Sequence, residues 1–139
     1  MRRLVLAGGC ALALAGCSPD ERSVDYFTRV ARLADRVTDA YDHAEHSCSP
    51  NFATHRCYVA VDRYRRVTGR AKTRVASLSP PEGAGEAHGT ILRAVRTAHS
   101  AARHALAAVP DGDVGAWWRA VDENRQARDY FVSGLEELR

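Results

Sequence analysis

The sequence predicts an all-α protein, an antiparallel up-down-up-down four-helix bundle that follows an N-terminal signal peptide. Apolar residues recur every three or four positions along four long stretches, which is the period of an amphipathic helix. Short segments rich in proline, glycine, asparagine or aspartate separate these stretches, and none of the stretches alternates in the way of a β-strand. Connections this short place consecutive helices antiparallel, as in an up-down bundle.

The first helix is predicted from about Asp20 or Val24 to His46. Its apolar stripe and flank comprise Tyr26, Phe27, Val30, Leu33, Ala34, Val37, Tyr41 and Ala44. Pro50 and Asn51 then mark a turn, after which the second helix begins. The stripe of the second helix is the most regular of the four and comprises Cys57, Val61, Tyr64, Thr68, Ala71, Val75 and Leu78.

The segment 79–82, Ser-Pro-Pro-Glu, predicts the end of the second helix at Leu78 and the start of the third. Ser79 and Glu82 have the spacing of a capping box, and Pro80 suits the first helical position. The third stripe comprises His88, Leu92, Val95, His99, Ala102, Leu106 and Val109, with Ile91, Ala98 and Ala105 beside it. His88 and His99 lie about 16 Å apart along such a helix, too far for one metal ion, so each is predicted to be a partly buried polar group.

The fourth helix follows the turn 110–113, in which either aspartate can cap its start. Its stripe comprises Val114, Trp117, Val121, Asn124, Arg128, Phe131, Leu135 and Leu138. If Arg128 points inward, it needs an acidic partner such as Asp39 or Asp62. If Arg128 leans outward, Ala127 faces the core instead.

The N-terminal segment predicts export and lipidation. Arg2 and Arg3 precede an apolar run of about twelve residues over 4–15, and a membrane-spanning helix needs about twenty. The run ends in Leu-Ala-Gly-Cys at residues 14–17, which resembles the lipobox of bacterial lipoproteins. The resemblance implies cleavage before Cys17 and acylation of its thiol. It therefore implies an extracytoplasmic protein that is anchored to the bacterial cell membrane by lipid.

This interpretation divides the chain into a lipoprotein signal peptide (1–16), a lipidated tether (17–23) and a four-helix domain (24–139). An ordinary secretory signal with a coincidental cysteine is the alternative, and Cys10 matches the lipobox less well than Cys17. The run 80–88 also resembles the Pro-Pro-Glu…Ala-His helix start of small, uncharacterised helical lipoproteins and secreted proteins of bacteria, a group that implies no activity.

Cys48 and Cys57 are predicted to form a disulfide, because export places this pair of cysteines in an oxidising compartment. On one continuous helix their Cα atoms would lie about 13 Å apart. A disulfide needs a Cα separation within about 7 Å. A bonded Cys48 therefore lies at the end of the first helix or in the loop, and Cys57 lies in the first turns of the second. The two helices are then an antiparallel pair.

The second helix is strongly basic, and its outer face predicts a contact surface. Residues 47–78 carry seven cationic side chains and one acidic one. The predicted interaction surface comprises Arg63, Arg65, Arg66, Arg70 and, on the fourth helix, Trp118. Its partner would be lipid headgroups, an envelope protein or an acidic polymer, and export argues against nucleic acid. Complementary packing is the alternative, since residues 20–46 and 111–139 each carry seven acids and four arginines.

Trp117 and Trp118 point about 100° apart on a helix, so one can fill the core while the other lies near the surface. Trp118 is alternatively an anchor at a protein interface or at the rim of the membrane. After removal of residues 1–16, the remaining 18 cationic and 17 acidic side chains nearly balance. Attraction of the whole molecule to an anionic partner is therefore weak, and a local surface would have to supply it.

A zinc or copper site is the alternative function, with His43, His46 and His55 as ligands beside Cys48 and Cys57. Their spacing matches no zinc-finger template, and oxidation outside the cytoplasm would remove the thiolates. The sequence contains no Gly-x-Ser-x-Gly, no His-Glu-x-x-His and no phosphate-binding glycine loop. We therefore expect a non-enzymatic, lipid-anchored helical binding module that needs no cofactor.

Overall fold

The computed structural model describes residues 21–49 and 52–139, and these form a four-helix bundle. The helices are α1 (Glu21–Cys48), α2 (His55–Ser77), α3 (Gly85–Asp111) and α4 (Val114–Glu136). Each helix packs mainly on its neighbours in the chain, α1 meets α4 along a sparser seam, and α2 lies diagonally across from α4. The predicted all-α up-down fold is confirmed.

The predicted signal peptide and Cys17 lie outside the described residues. The last three residues of the predicted tether, 21–23, already belong to the first turn of α1. Within the part of the chain that the structure describes, no helix combines the length and the apolar character needed to cross a bilayer.

Small side chains dominate the core on α3. Nine of its ten buried residues are alanine or valine, and the tenth is Ile91 near the N-terminal end. The buried set comprises Ala87, Ile91, Ala94, Val95, Ala98, Ala101, Ala102, Ala105, Ala108 and Val109. The buried face of α3 is therefore rotated relative to the predicted stripe, since Leu92 and Leu106 lie only partly buried at the margin of the core. An alanine face this wide lets α3 pack closely on both α2 and α4.

The predicted capping box between α2 and α3 does not form. Helix α2 ends at Ser77, Leu78 is its C-cap with an extended backbone (ψ 137°), and α3 begins only at Gly85. Gly83 adopts a positive φ of 81°, which interrupts the helix that Ser79 and Glu82 would have started. No side chain caps α3, whose N-cap residue is Ala84.

The turn between α3 and α4 follows the sequence more closely. Helix α3 continues through Pro110 to Asp111, and Gly112 closes it in the left-handed conformation (φ 63°). Asp113 is the aspartate that caps α4, since its side chain accepts a hydrogen bond from the backbone N–H of Ala116 at 2.8 Å.

On α4, residue 127 faces the core and residue 128 does not. Ala127 is buried, whereas the Arg128 side chain is 49% exposed and lies 3.7 Å from the carboxylate of Asp42 on α1. Arg128 therefore leans outward and pairs with neither Asp39 nor Asp62. Asn124 is the buried polar residue of the predicted stripe.

Helices α3 and α4 approach each other closely at Gly134. A Cβ atom built there would lie 2.7 Å from Cγ1 of Ile91 and 3.3 Å from the carbonyl oxygen of Ala87. Ile91 is fully buried, so its side chain has no free space into which it could retreat. Glycine at position 134 therefore sets the distance between these two helices.

We predict that Gly134→Ala lowers the free energy of unfolding by about 1–3 kcal/mol, because overpacking outweighs alanine's better helix propensity. Urea unfolding followed by circular dichroism measures the change. Gly89→Ala on α3 is the matched control, since a Cβ atom there meets nothing within 4 Å. This control should raise the unfolding free energy by up to about 1 kcal/mol. Equal effects of the two substitutions would contradict the close approach.

Candidate functional site

Two contacts fix the register between α1 and α2. Cys48 and Cys57 form a disulfide with their Cα atoms 4.6 Å apart, as the sequence predicts. Seven residues further from this bond on each helix, the rings of Tyr41 and Tyr64 meet edge to face with centroids 5.7 Å apart. Residues equally distant from the disulfide therefore lie opposite each other along the antiparallel pair.

This register places two rows of arginines across a cleft. We name the cleft the arginine groove. Its α1 wall carries Arg29, Arg32 and Arg36, and its α2 wall carries Arg63, Arg70 and Arg74. Both rows recur at helical spacing, so each lies along one side of its helix.

The arginine groove is open and has an apolar floor. The floor is formed by Leu33, Ala40, Val67 and Ala71. The section that includes His43 and Arg63 has a volume of about 440 Å³, and the adjoining section, which reaches Leu78, has about 350 Å³. Along α1 the groove extends from Arg29 to His43, about 21 Å.

Positive charge in the arginine groove is largely uncompensated. Asp39 is the one carboxylate among the lining residues, and Arg29 pairs with Asp25 on its own helix at 2.9 Å. The other five arginines make no ion pair in the part of the chain that the structure describes. An anionic partner that bound here would supply the opposite charge that these guanidinium groups lack.

The alternative of complementary packing between α1 and α2 is not supported. Among the described residues no ion pair joins these two helices. The net negative balance of α1 conceals an uneven distribution, because Asp42 faces α4 and pairs there with Arg128. The arginines of α1 line the side that faces α2.

The residues of the predicted interaction surface lie in different places: Arg63 and Arg70 in the groove, Arg65 and Arg66 elsewhere on α2, and Trp118 on α4. Arg63 and Arg70 line the arginine groove. Arg65 and Arg66 both bind the carboxylate of Asp62, at 2.8 Å and 3.1 Å, and lie toward the α3 side of α2. Sequence reasoning missed Arg29, Arg32 and Arg36, although their helical spacing combined with the register of the disulfide would have placed them opposite the arginines of α2.

Trp118 lies apart from the arginines of α2. It is 57% exposed on α4, the helix diagonally across from α2. Its neighbour Trp117 is buried, and its ring contacts Phe52 with centroids 5.5 Å apart. The prediction that one tryptophan fills the core while the other lies at the surface is confirmed. Trp118 also lies at the end of the bundle away from the start of α1.

The histidines of the alternative metal site are not brought together. His46 lies in the last turn of α1, His55 begins α2, and His43 lines the arginine groove. The two cysteines are bonded to each other. Across residues 21–49 and 52–139, no three histidine, cysteine, aspartate or glutamate side chains are grouped so that they could hold a metal ion.

A buried polar cluster crosses the centre of the bundle. The Tyr64 hydroxyl donates to the carbonyl oxygen of Ala98 at 3.3 Å and contacts Oδ1 of Asn124. The amide nitrogen of Asn124 has no hydrogen-bond partner in the described part of the chain. Burial, with a further contribution from Tyr41, raises the pKa of Tyr64, and burial also raises the pKa of Tyr41 to about 12. Both hydroxyls therefore stay protonated near neutral pH.

His88 and His99 are partly buried polar groups, as the sequence predicts. Nδ1 of His88 lies 2.6 Å from the hydroxyl of Tyr26, and Nδ1 of His99 lies 3.1 Å from the hydroxyl of Thr68. Burial lowers the pKa of both histidines below 6.5. Nearby Lys72 and Arg103 lower the pKa of His99 further. Both rings link helices within the core.

No protein-family model, no curated protein and no solved structure matches this chain. The assignment of a function therefore depends on the geometry and charge of the arginine groove.

We predict that the bundle loses stability as the pH falls below about 6.5, because the unfolded histidines take up protons before His88 and His99 do so in the folded state. The stabilisation is fully present above this pH and disappears as the pH passes down through their lowered pKa values. Thermal unfolding at about pH 7.5 and about pH 5.5 measures the difference.

The double variant His88→Gln/His99→Gln should show a smaller decrease in melting temperature between the two pH values. His55→Gln, at an exposed position, is the control and should retain the decrease of the parent protein. A double variant with an undiminished decrease would rule out these two rings as its source.

Proposed function

We propose that this protein is a lipid-anchored, non-enzymatic binding module of the bacterial cell envelope and that the arginine groove is its contact surface for an acidic partner. The observation that carries the proposal is the groove itself. Five of its six arginines have no ion-pair partner in the described residues, and they line an apolar floor between two helices. Arginine is well suited to such a surface, since its planar guanidinium binds carboxylates and phosphates through two parallel hydrogen bonds.

Two further observations favour binding over catalysis. The side chains whose pKa values burial shifts do not line the arginine groove: Tyr64 lies in the core, and His99 lies at the α2–α3 interface, in a second depression that it shares with Arg70 and Arg74. Perturbed groups of this kind usually gather in the cleft of an enzyme. The groove is also open along its length, so it provides no enclosure that would exclude water from a reacting group.

The lipid anchor is the other half of the proposal. It depends on the resemblance of residues 14–17 to a lipobox, with Cys17 as the acylated residue. Each buried methylene of an acyl chain contributes about 0.8 kcal/mol to membrane affinity, so more than one chain holds a protein firmly. An anchored module of nearly neutral net charge would then reach its partner through a local charged surface.

We predict that the protein binds polyglutamate and polyphosphate through the arginine groove. Isothermal titration calorimetry of the variant Arg36→Glu/Arg70→Glu should show at least a tenfold loss of affinity, about 1.4 kcal/mol. The physical reason is that each reversal removes a cation and introduces a repulsive carboxylate on one wall of the groove.

The matched control is Arg119→Glu/Arg125→Glu on α4, which changes the net charge by the same amount outside the groove. Its affinity should stay within a few-fold of the parent value, since exposed charges beyond about 10 Å are largely screened. Equal losses in the two variants, or no binding by the parent protein, would exclude the groove as the contact surface.

We predict that radiolabelled palmitate enters the protein when it is expressed in bacteria and that Cys17→Ala abolishes the labelling. The thiol of Cys17 is the acceptor that the lipobox resemblance implies. Cys10→Ala is the control and should leave the labelling unchanged. Label that persists after the substitution at position 17 would refute the proposed anchor.

A further inference from the structure

We infer that the face of the bundle bearing the arginine groove lies flat on an anionic phospholipid surface, the same bilayer that holds the acyl chains of Cys17. This inference rests on the proposed lipid anchor and names the partner of the proposed groove. Phospholipid phosphates would enter the groove between the two arginine walls, above the apolar floor formed by Leu33, Ala40, Val67 and Ala71.

The length of chain between the anchor and the bundle favours this partner. Three residues, 18–20, separate Cys17 from Glu21, so the two Cα atoms lie at most about 14 Å apart. Arg29 follows Glu21 by eight residues, about 12 Å along α1. The first arginines of the groove are therefore held close to the headgroup layer by covalent connection.

The direction of the groove provides the second argument. It runs parallel to α1 for about 21 Å, from Arg29 near the N-terminal end of the helix to His43. If α1 stood upright on the bilayer, the distal arginines would extend beyond the reach of the headgroups, because screening limits their interaction to about 10 Å. If α1 lies in the membrane plane, both rows of arginines meet phosphates along their full length.

The distribution of charge between the groove side and the α4 side of the bundle also favours a flat orientation. The groove joins α1 and α2, whereas α4 lies diagonally across from α2. Residues 20–46 and 111–139 each carry seven acids and four arginines, but three arginines of α1 line the groove, whereas Asp42 of α1 faces α4. An anionic surface attracts the side that bears the groove and repels the side that bears α4, so the field of the membrane orients the molecule.

Tethering favours lipid over a soluble acidic partner. An anchored groove meets headgroups at the high effective concentration that a short linker provides. A soluble protein or polymer would have to compete with these phosphates from free solution. We therefore assign the groove to the anionic headgroups of the bilayer.

Neutron reflectometry of the lipidated protein on supported bilayers tests the orientation. On phosphatidylcholine mixed with phosphatidylglycerol we expect a protein layer about 20–24 Å thick, two helix diameters. On phosphatidylcholine alone we expect a thicker layer, approaching the length of the 28-residue helix α1, about 42 Å. High salt should thicken the layer on the anionic bilayer without removing the protein, since the acyl anchor is insensitive to screening.

Arg36→Glu/Arg70→Glu should give the thick layer on both bilayers, whereas the control Arg119→Glu/Arg125→Glu should stay thin on the anionic one. Equal thickness of the parent protein on the two bilayers, or a control variant that behaves like the groove variant, would overturn the inference. Protein that washes off both bilayers would instead disprove the anchor. If polyglutamate binding depends on the groove but the parent protein forms the thick layer on both bilayers, the partner is a soluble acidic polymer. The proposed function would then survive without the flat orientation.

Discussion

The register between α1 and α2 is the constraint on which the candidate site depends. The disulfide of Cys48 and Cys57 joins the end of one helix to the start of the next, and the Tyr41–Tyr64 contact continues the same alignment seven residues further on. A cross-link over a loop of this size stabilises the fold by about 2–3 kcal/mol in the chain-entropy account. Its structural effect is more specific, because it determines which arginines of α1 lie opposite those of α2. The arginine groove follows from that alignment.

Charge counted helix by helix does not show where charge lies in the folded molecule. Acidic α1 beside basic α2 favours ion pairing between them, yet no ion pair joins these helices in the described residues. The reason is that acidic and basic side chains lie on different sides of α1: Asp42 faces α4, whereas Arg36 faces α2. Exposed like charges cost little stability in water, where solvent and salt screen them. A bundle can therefore collect arginines along one seam and keep them available for an anionic partner.

The opposite half of the bundle depends on small residues. Alanines of α3 and Gly134 of α4 let these helices approach closely, and Ile91 fills the space that a side chain at position 134 would take. Hydroxyl and imidazole groups tie the remaining interfaces together, as in the contact between Thr68 and His99. The arginine groove lies on the α1–α2 side of the molecule.

The sequence by itself determined the four helices, their antiparallel order and the disulfide. It also determined that one of the two adjacent tryptophans, Trp117 and Trp118, is buried while the other is exposed. Periodicity and turn residues are local signals, and a pair of cysteines limits distance directly. It also identified Arg63 and Arg70 as surface cations. Only the tertiary structure decided that Gly83 breaks the predicted capping box, that Arg128 turns toward Asp42, and that Arg29, Arg32 and Arg36 complete the groove. Each of these depends on which side of a helix meets which neighbour, and a repeat of 3.6 residues does not specify that partner.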